Sequence, residues 1–263
     1  MLTKLLKYDL KWVYKIVIIF YVLTLAFAGL YRFSNSISNG SNISNFLNGF
    51  LLGVSISLMI NILINTFTRL IGRFVKNIYA DESYLTHTLP VSKKEIYLSK
   101  VFTSLITILT GMIVIAIALF IMFYSKENMI LLKDSLNIIA DIYNSNVVLM
   151  LISMLLLIFF QVVFISLVAY LAISLAYRKS DYRIAKAVIL GFILFLLGES
   201  ALLGSIYLIG LFNEGIKNLF ITNSMSANTF QFLILLGNVL YIILNIACVY
   251  IGNKIINKGV NVD

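Results

Sequence analysis

The chain has 263 residues, of which 61% are hydrophobic and only 12% charged, with a formal net charge of +9 and a mean hydropathy of +1.00. Soluble domains carry about 25% charged residues, so this composition excludes an ordinary soluble protein and predicts an integral membrane protein. Cys248 is the only cysteine and His87 the only histidine, which excludes disulfides, thiolate clusters and a multi-histidine metal site.

The predicted elements begin with Met1–Lys15, where Lys4, Lys7, Lys11 and Lys15 recur at three- and four-residue steps. Leu2, Leu5, Leu6, Trp12 and Val13 occupy much of the other side. This pattern predicts an amphipathic helix over 1–15 that lies in the membrane interface, or else a basic flank to the first span. Six apolar stretches follow at about 13–31, 46–67, 101–124, 147–177, 187–212 and 230–252. Each has the roughly 20 residues needed to cross about 30 Å of hydrocarbon, and the expected fold is an all-α, single-domain membrane protein over 1–263. The first stretch lacks a small-residue cleavage site and is expected to stay as an anchor. The fourth, Val147–Tyr177, is long enough to tilt or project. Between the spans, Arg32–Asn45 is Ser/Asn-rich and reads as a loop. Met129–Ile142 reads as a short surface helix, and Ile216–Ile221 as a segment that dips toward the bilayer.

Of the 20 Lys and Arg residues, only Arg32, Lys126, Lys133 and Lys217 fall in the first, third and fifth connections. The others lie in the N-terminal segment, the second and fourth connections and the C-terminal tail. Basic loops resist translocation, so this sorting predicts six spans with both termini in the cytoplasm. The cytoplasmic side also carries Asp9, Asp81, Glu82, Glu95, Asp181 and Asp263, against Glu127, Asp134, Asp141 and Glu214 outside. The surplus of positive charge suits topology and anionic inner-leaflet lipids better than nucleic acid, which is not an expected partner.

Within the spans, Glu199 in LLGESALLG is the polar residue of most interest. A carboxylate at that depth faces a partner or a watery cavity. It is a candidate pathway residue, with a hydrogen-bonded packing role as the alternative. Asn61, Asn65, Gln161, Asn238 and Asn245 are expected to join helices by hydrogen bonds. Gly191, Gly198, Gly204 and Gly210 supply small surfaces for close helix approach.

The second connection, Arg69–Lys100, is the most informative segment. Leu70, Ile71, Phe74, Val75 and Ile78 keep helical spacing, so the second span should extend beyond the membrane or bend into a short amphipathic helix. Asp81-Glu82-Ser83 reads as a turn, and Pro90, the only proline, ends whatever precedes it. Ser92-Lys93-Lys94-Glu95 has capping-box spacing, with Val91 and Ile96 placed as a hydrophobic staple. It predicts a helix that starts at Ser92 and runs into the third span.

The run ADESYLTHTLPVSKKEIYLSK resembles the intracellular loop of ABC-2-type permeases, and MLTKLLKYDLKWVYK resembles their N-terminal interfacial helix. With six spans and a length near 260, the resemblance covers essentially the whole chain. It implies the transmembrane subunit of a bacterial ABC exporter in the cytoplasmic membrane. Two copies of a separate cytoplasmic ABC ATPase would drive it, and a second permease copy or a paralogous permease would complete it. By the same resemblance the loop before Pro90 is a cytoplasmic coupling helix, with Tyr79, Asp81, Glu82, Tyr84, Leu85 and Thr88 as the ATPase-coupling candidates. For Asp81 and Glu82 the alternative is that they only cap or solvate a turn. The chain has no Gly-rich run ending in Gly-Lys-Ser/Thr. ATP and magnesium are therefore expected in the partner, and no catalytic, cofactor-binding or metal-binding residue is assigned here. Other readings are a non-transporting membrane component of a peptide-resistance or sensing module, and an ATPase-independent carrier.

Overall fold

A computed structural model describes residues 1–38, 40–80, 82–143, 146–177, 182–222 and 227–257. These form α1 (Leu2–Ile37), α2 (Asn42–Ile78), α3 (Ser83–Thr88), α4 (Lys93–Phe123), α5 (Lys126–Ile142), α6 (Val147–Ala176), α7 (Arg183–Gly210), α8 (Glu214–Thr222) and α9 (Ala227–Asn257), with no strand among the described residues. Six of them, α1, α2, α4, α6, α7 and α9, are long and apolar enough to cross a membrane. The expected all-α architecture, with six helices able to span a membrane, is therefore present. Contacts divide the chain into two compact units, Met1–Met129 and Ile130–Asp263.

The starts of α4 and α6 follow the local chemistry closely, whereas most of Arg32–Asn45, expected as a loop, is helical, because α1 runs on to Ile37 and Ser41 caps α2 at Asn42. Ser92 caps α4 by accepting from the Glu95 amide, and the Glu95 carboxylate accepts from the Ser92 amide, so both arms of the capping box form. Asn146 caps α6 in the same manner through the Leu149 amide at 2.8 Å. The run Met129–Ile142 lies inside α5, and Ile216–Ile221 lies inside α8. The second span extends without a break to Ile78. The N-terminal lysine-striped stretch is helical, but it is not a separate element. No proline interrupts Leu2–Ile37, and its one glycine, Gly29, lies well beyond the lysine-striped stretch, so its 36 residues form one rod of about 54 Å.

In the first unit α1, α2 and α4 pack against one another. The inward face of α1 carries Val13, Val17, Tyr21, Thr24, Ala28 and Tyr31, a ladder of three- and four-residue steps. The Tyr21 hydroxyl reaches the Thr107 carbonyl at 3.3 Å, and the Tyr14 hydroxyl shares a 2.7 Å hydrogen bond with Thr110 Oγ1. These tie α1 to α4 in the middle of the apolar zone. At the far end, Ala28, Tyr31, Met59, Ala118 and Met122 close the core. There Arg32 donates to the Ile121 and Tyr124 carbonyls, satisfying the C-terminal end of α4 with a cation, and its guanidinium lies 5.3 Å from the Tyr124 ring centroid.

In the second unit α6 packs on both α7 and α9. The buried face of α9 runs through Ile234, Asn238, Tyr241, Asn245, Cys248, Gly252 and Ile255 in alternating steps of four and three. Asn238 donates to the Ser153 carbonyl and Asn245 to the Phe160 carbonyl, each at 3.0 Å, so these two amides join α9 to α6 as expected. Asn61 and Asn65 do not join helices this way. Their amides bond back to the Ser57 and Asn61 carbonyls of α2 itself, because the preceding turn offers an acceptor at no packing cost.

Candidate functional site

The segment after α2 builds a small structure of its own in the first unit. Tyr79 ends α2, its amide bonding to the Val75 carbonyl, and its buried ring lies 6.1 Å from that of Phe74. The six residues of α3 then turn Ser83 and Thr86 inward. Asn77 Nδ2 donates to Thr86 Oγ1 at 2.8 Å, and that hydroxyl donates to the Glu82 carbonyl at 2.9 Å. The opposite face of α3 is open. Tyr84 is 75% exposed and Leu85 68%. Thr88 and Leu89 are exposed beside them, with Pro90 following. Leu89 is extended, as a residue preceding proline should be.

Of the six coupling candidates, Tyr84, Leu85 and Thr88 therefore form an exposed face. Tyr79 is buried against Phe74 of α2 and is not part of that face. Glu82 is held in an ion pair, and Asp81 lies outside the described residues. The side chain of His87 is likewise outside them.

Beneath α3 lies a cluster that the sequence reading missed. Asp9 of α1 is 2% exposed. Its Oδ1 accepts from Arg73 Nε at 2.8 Å and from Lys100 Nζ at 2.6 Å, and its Oδ2 accepts from Ser99 Oγ at 2.8 Å. Arg73 belongs to α2, and Ser99 and Lys100 belong to α4, so one carboxylate joins three helices. The second arm of Arg73 donates from Nη1 to Glu82 Oε2, at the start of α3. Two carboxylates and two cations make the group neutral, and charge-assisted hydrogen bonds satisfy Asp9 on both oxygens. The Arg73 guanidinium also lies 5.5 Å from the Trp12 ring centroid, with that of Arg69 at 5.2 Å, which confines it on its remaining face.

One sequence signal pointed to this. Leu2, Leu5, Leu6, Asp9 and Val13 share a face of α1 opposite the lysines. An acid on the apolar face of an amphipathic helix needs a cation from another element. The partners, 64 and 91 residues away, carry no such mark, because Arg73 and Lys100 look like any other basic residues of their loop.

The second unit holds the membrane-embedded candidate. Glu199 of α7 is half-buried and accepts from the Tyr241 hydroxyl of α9 at 3.1 Å. One turn of packing surrounds it. Gly198 sits under the Phe164 ring, and Phe164 in turn lies 6.0 Å from the Tyr241 ring. Glu199 makes no ion pair among the described residues, which contain no group of His, Cys, Asp and Glu suited to a metal ion.

Comparison with protein families, with curated proteins and with solved structures finds no significant match to this chain.

Proposed function

We propose that this chain is the membrane-spanning permease subunit of a bacterial ABC exporter, driven by ATP hydrolysed in a separate ATPase subunit. The observation that carries this reading is α3. It is a helix too short to be stable alone, yet it is clamped to α2 by Asn77–Thr86 and Arg73–Glu82 while presenting Tyr84 and Leu85 to the outside. An anchored helix with an exposed tyrosine beside a leucine is what a soluble partner can grip, since tyrosine is among the side chains that concentrate the binding energy of interfaces and leucine adds apolar area to bury. Force applied there passes into helices long enough to cross the membrane.

In this reading two ATPase copies, each holding ATP and magnesium, act on α3 and on its counterpart in a second permease copy or a paralogous permease. The lysines Lys4, Lys7, Lys11 and Lys15 are all exposed on α1 and face lipid headgroups of the cytoplasmic leaflet. Glu199 lines or gates the transport route.

The test is isolation of the tagged chain from its native membranes in mild detergent. Wild type should bring down an ABC ATPase and show ATP turnover. The Tyr84→Asp/Leu85→Asp variant should lose both while keeping the thermal midpoint of the isolated chain, because neither side chain is part of the core. If no ABC ATPase accompanies the wild type, or the variant retains a full complement, the reading fails.

Glu199→Gln keeps an acceptor for Tyr241 and removes the charge. Yield and helix content should be preserved, while ATP-driven transport in reconstituted vesicles falls. Transport at the wild-type rate would reduce Glu199 to helix packing.

A further inference from the structure

We infer that Arg73 is a positioning residue that locks α3 to the junction of α1 and α4, and that Glu82 is the releasable half of this lock. The inference deepens the permease reading and rests on it only for the identity of what pulls on α3. The cluster is asymmetric. Its inner half, Asp9 with Lys100 and Ser99, is closed to solvent, with the Asp9 and Lys100 side chains each 3% exposed. Its outer half is open, because the Glu82 side chain is 40% exposed. Arg73 alone belongs to both halves. Nε bonds Asp9 in one direction and Nη1 bonds Glu82 in the other, while Trp12 covers the guanidinium plane.

The consequences follow from geometry. A planar guanidinium holding two carboxylates on separate edges fixes their relative direction, which a lysine ammonium on a flexible stem does not. Displacement of α3 therefore moves Glu82, turns Arg73 and loads Asp9, which is bonded to α4 through Lys100 and Ser99. The inner half is too costly to open, since it would strand buried charges. The outer half is not, because water can replace either partner of a 40% exposed carboxylate. The lock opens between Arg73 and Glu82, leaving the three-helix junction intact. The Asn77 amide also holds this end of the chain, donating to Thr86 Oγ1 at 2.8 Å and to Glu82 Oε2 at 3.4 Å, but it is neutral and belongs to α2 alone, so it cannot carry this path to α1 and α4.

The experiment uses the full chain in detergent without any partner. Cys248→Ser leaves no thiol, because Cys248 is the only cysteine, and Leu85→Cys then carries a spin label on the exposed face of α3. Trp12, the only tryptophan, reports on the guanidinium stacked against it. Glu82→Gln should make the label several-fold more mobile while Trp12 emission and the thermal midpoint stay as in the parent, showing that only the outer half has opened. Arg73→Lys, which keeps a cation beside Asp9, should loosen the label as much and also shift Trp12 emission. Should Glu82→Gln lower the expression of folded protein, Arg73→Lys carries the test alone. A label as immobile in these variants as in the parent overturns the lock, whatever the identity of the partner. Absence of an associated ATPase would instead count against the permease reading and leave this result standing.

Discussion

Asp9→Asn is expected to destabilise the first unit by about 3–5 kcal/mol, the range for removing one member of a buried ion pair. The reason is the number of charges that depend on it. Asp9 accepts from Arg73, Lys100 and Ser99 at 2.6 to 2.8 Å while 2% exposed. Asparagine offers one oxygen in place of two and no charge, so a lysine at 3% exposure and an arginine at 13% are left with excess positive charge in a poorly solvated place. Glu82 cannot compensate, because its contact is with the far arm of Arg73. The effect should appear as a lowered thermal midpoint in detergent and as a change in Trp12 emission. The Asp9→Asn/Lys100→Met double variant should recover part of the loss, since it removes one stranded cation along with its partner, and residues that share a network are not additive. An unchanged midpoint for the single variant would show that the cluster does not form.

Gly198→Ala should destabilise the second unit by about 1–3 kcal/mol, the cost of overpacking a filled core. A Cβ at Gly198 would lie 2.2 Å from Phe164 Cζ and 2.9 Å from its Cε1. The ring cannot withdraw freely. Phe164 is 1% exposed and bounded by Phe195 and Tyr241. Because Tyr241 donates to Glu199, moving the ring also disturbs that hydrogen bond. Gly204→Ala on the same helix is the control. Nothing lies within 4 Å of its Cβ position, so alanine there should be neutral or stabilise by about 0.5–1 kcal/mol through helix propensity. Thermal unfolding of both variants, with Phe164→Leu added to relieve the clash, checks the assignment. Equal midpoints for Gly198→Ala and Gly204→Ala would refute it.

These two sites mark the boundary between what was readable from residue order and what was not. Ser92 and Glu95 announced the start of α4 because a capping box is complete within four residues. Tyr84, Leu85 and Thr88 were legible as candidates from the loop motif, and three-dimensional packing then separated them from Tyr79, which is buried. Gly198 and Gly204 are indistinguishable as small residues in an apolar run. Only the position of Phe164, 34 residues before Gly198 in the chain, makes one of them irreplaceable. Asn238 and Asn61 are likewise the same residue in the same kind of span. One reaches a neighbouring helix and the other bonds to its own.

By itself the amino-acid sequence determined the number of helices able to cross a membrane, the capped starts of α4 and α6, and which loops carry the positive charge. These depend on hydropathy, caps and breakers that act over a few neighbouring residues. Tertiary structure alone decided which cations meet Asp9 on the apolar face of α1: that Arg73 bridges it to Glu82, and that Lys100 closes the cluster. Those choices belong to pairs separated by 9 to 91 residues. A buried charge takes whichever opposite charge the packing of helices brings within reach, and that is a property of the assembled bundle rather than of any segment.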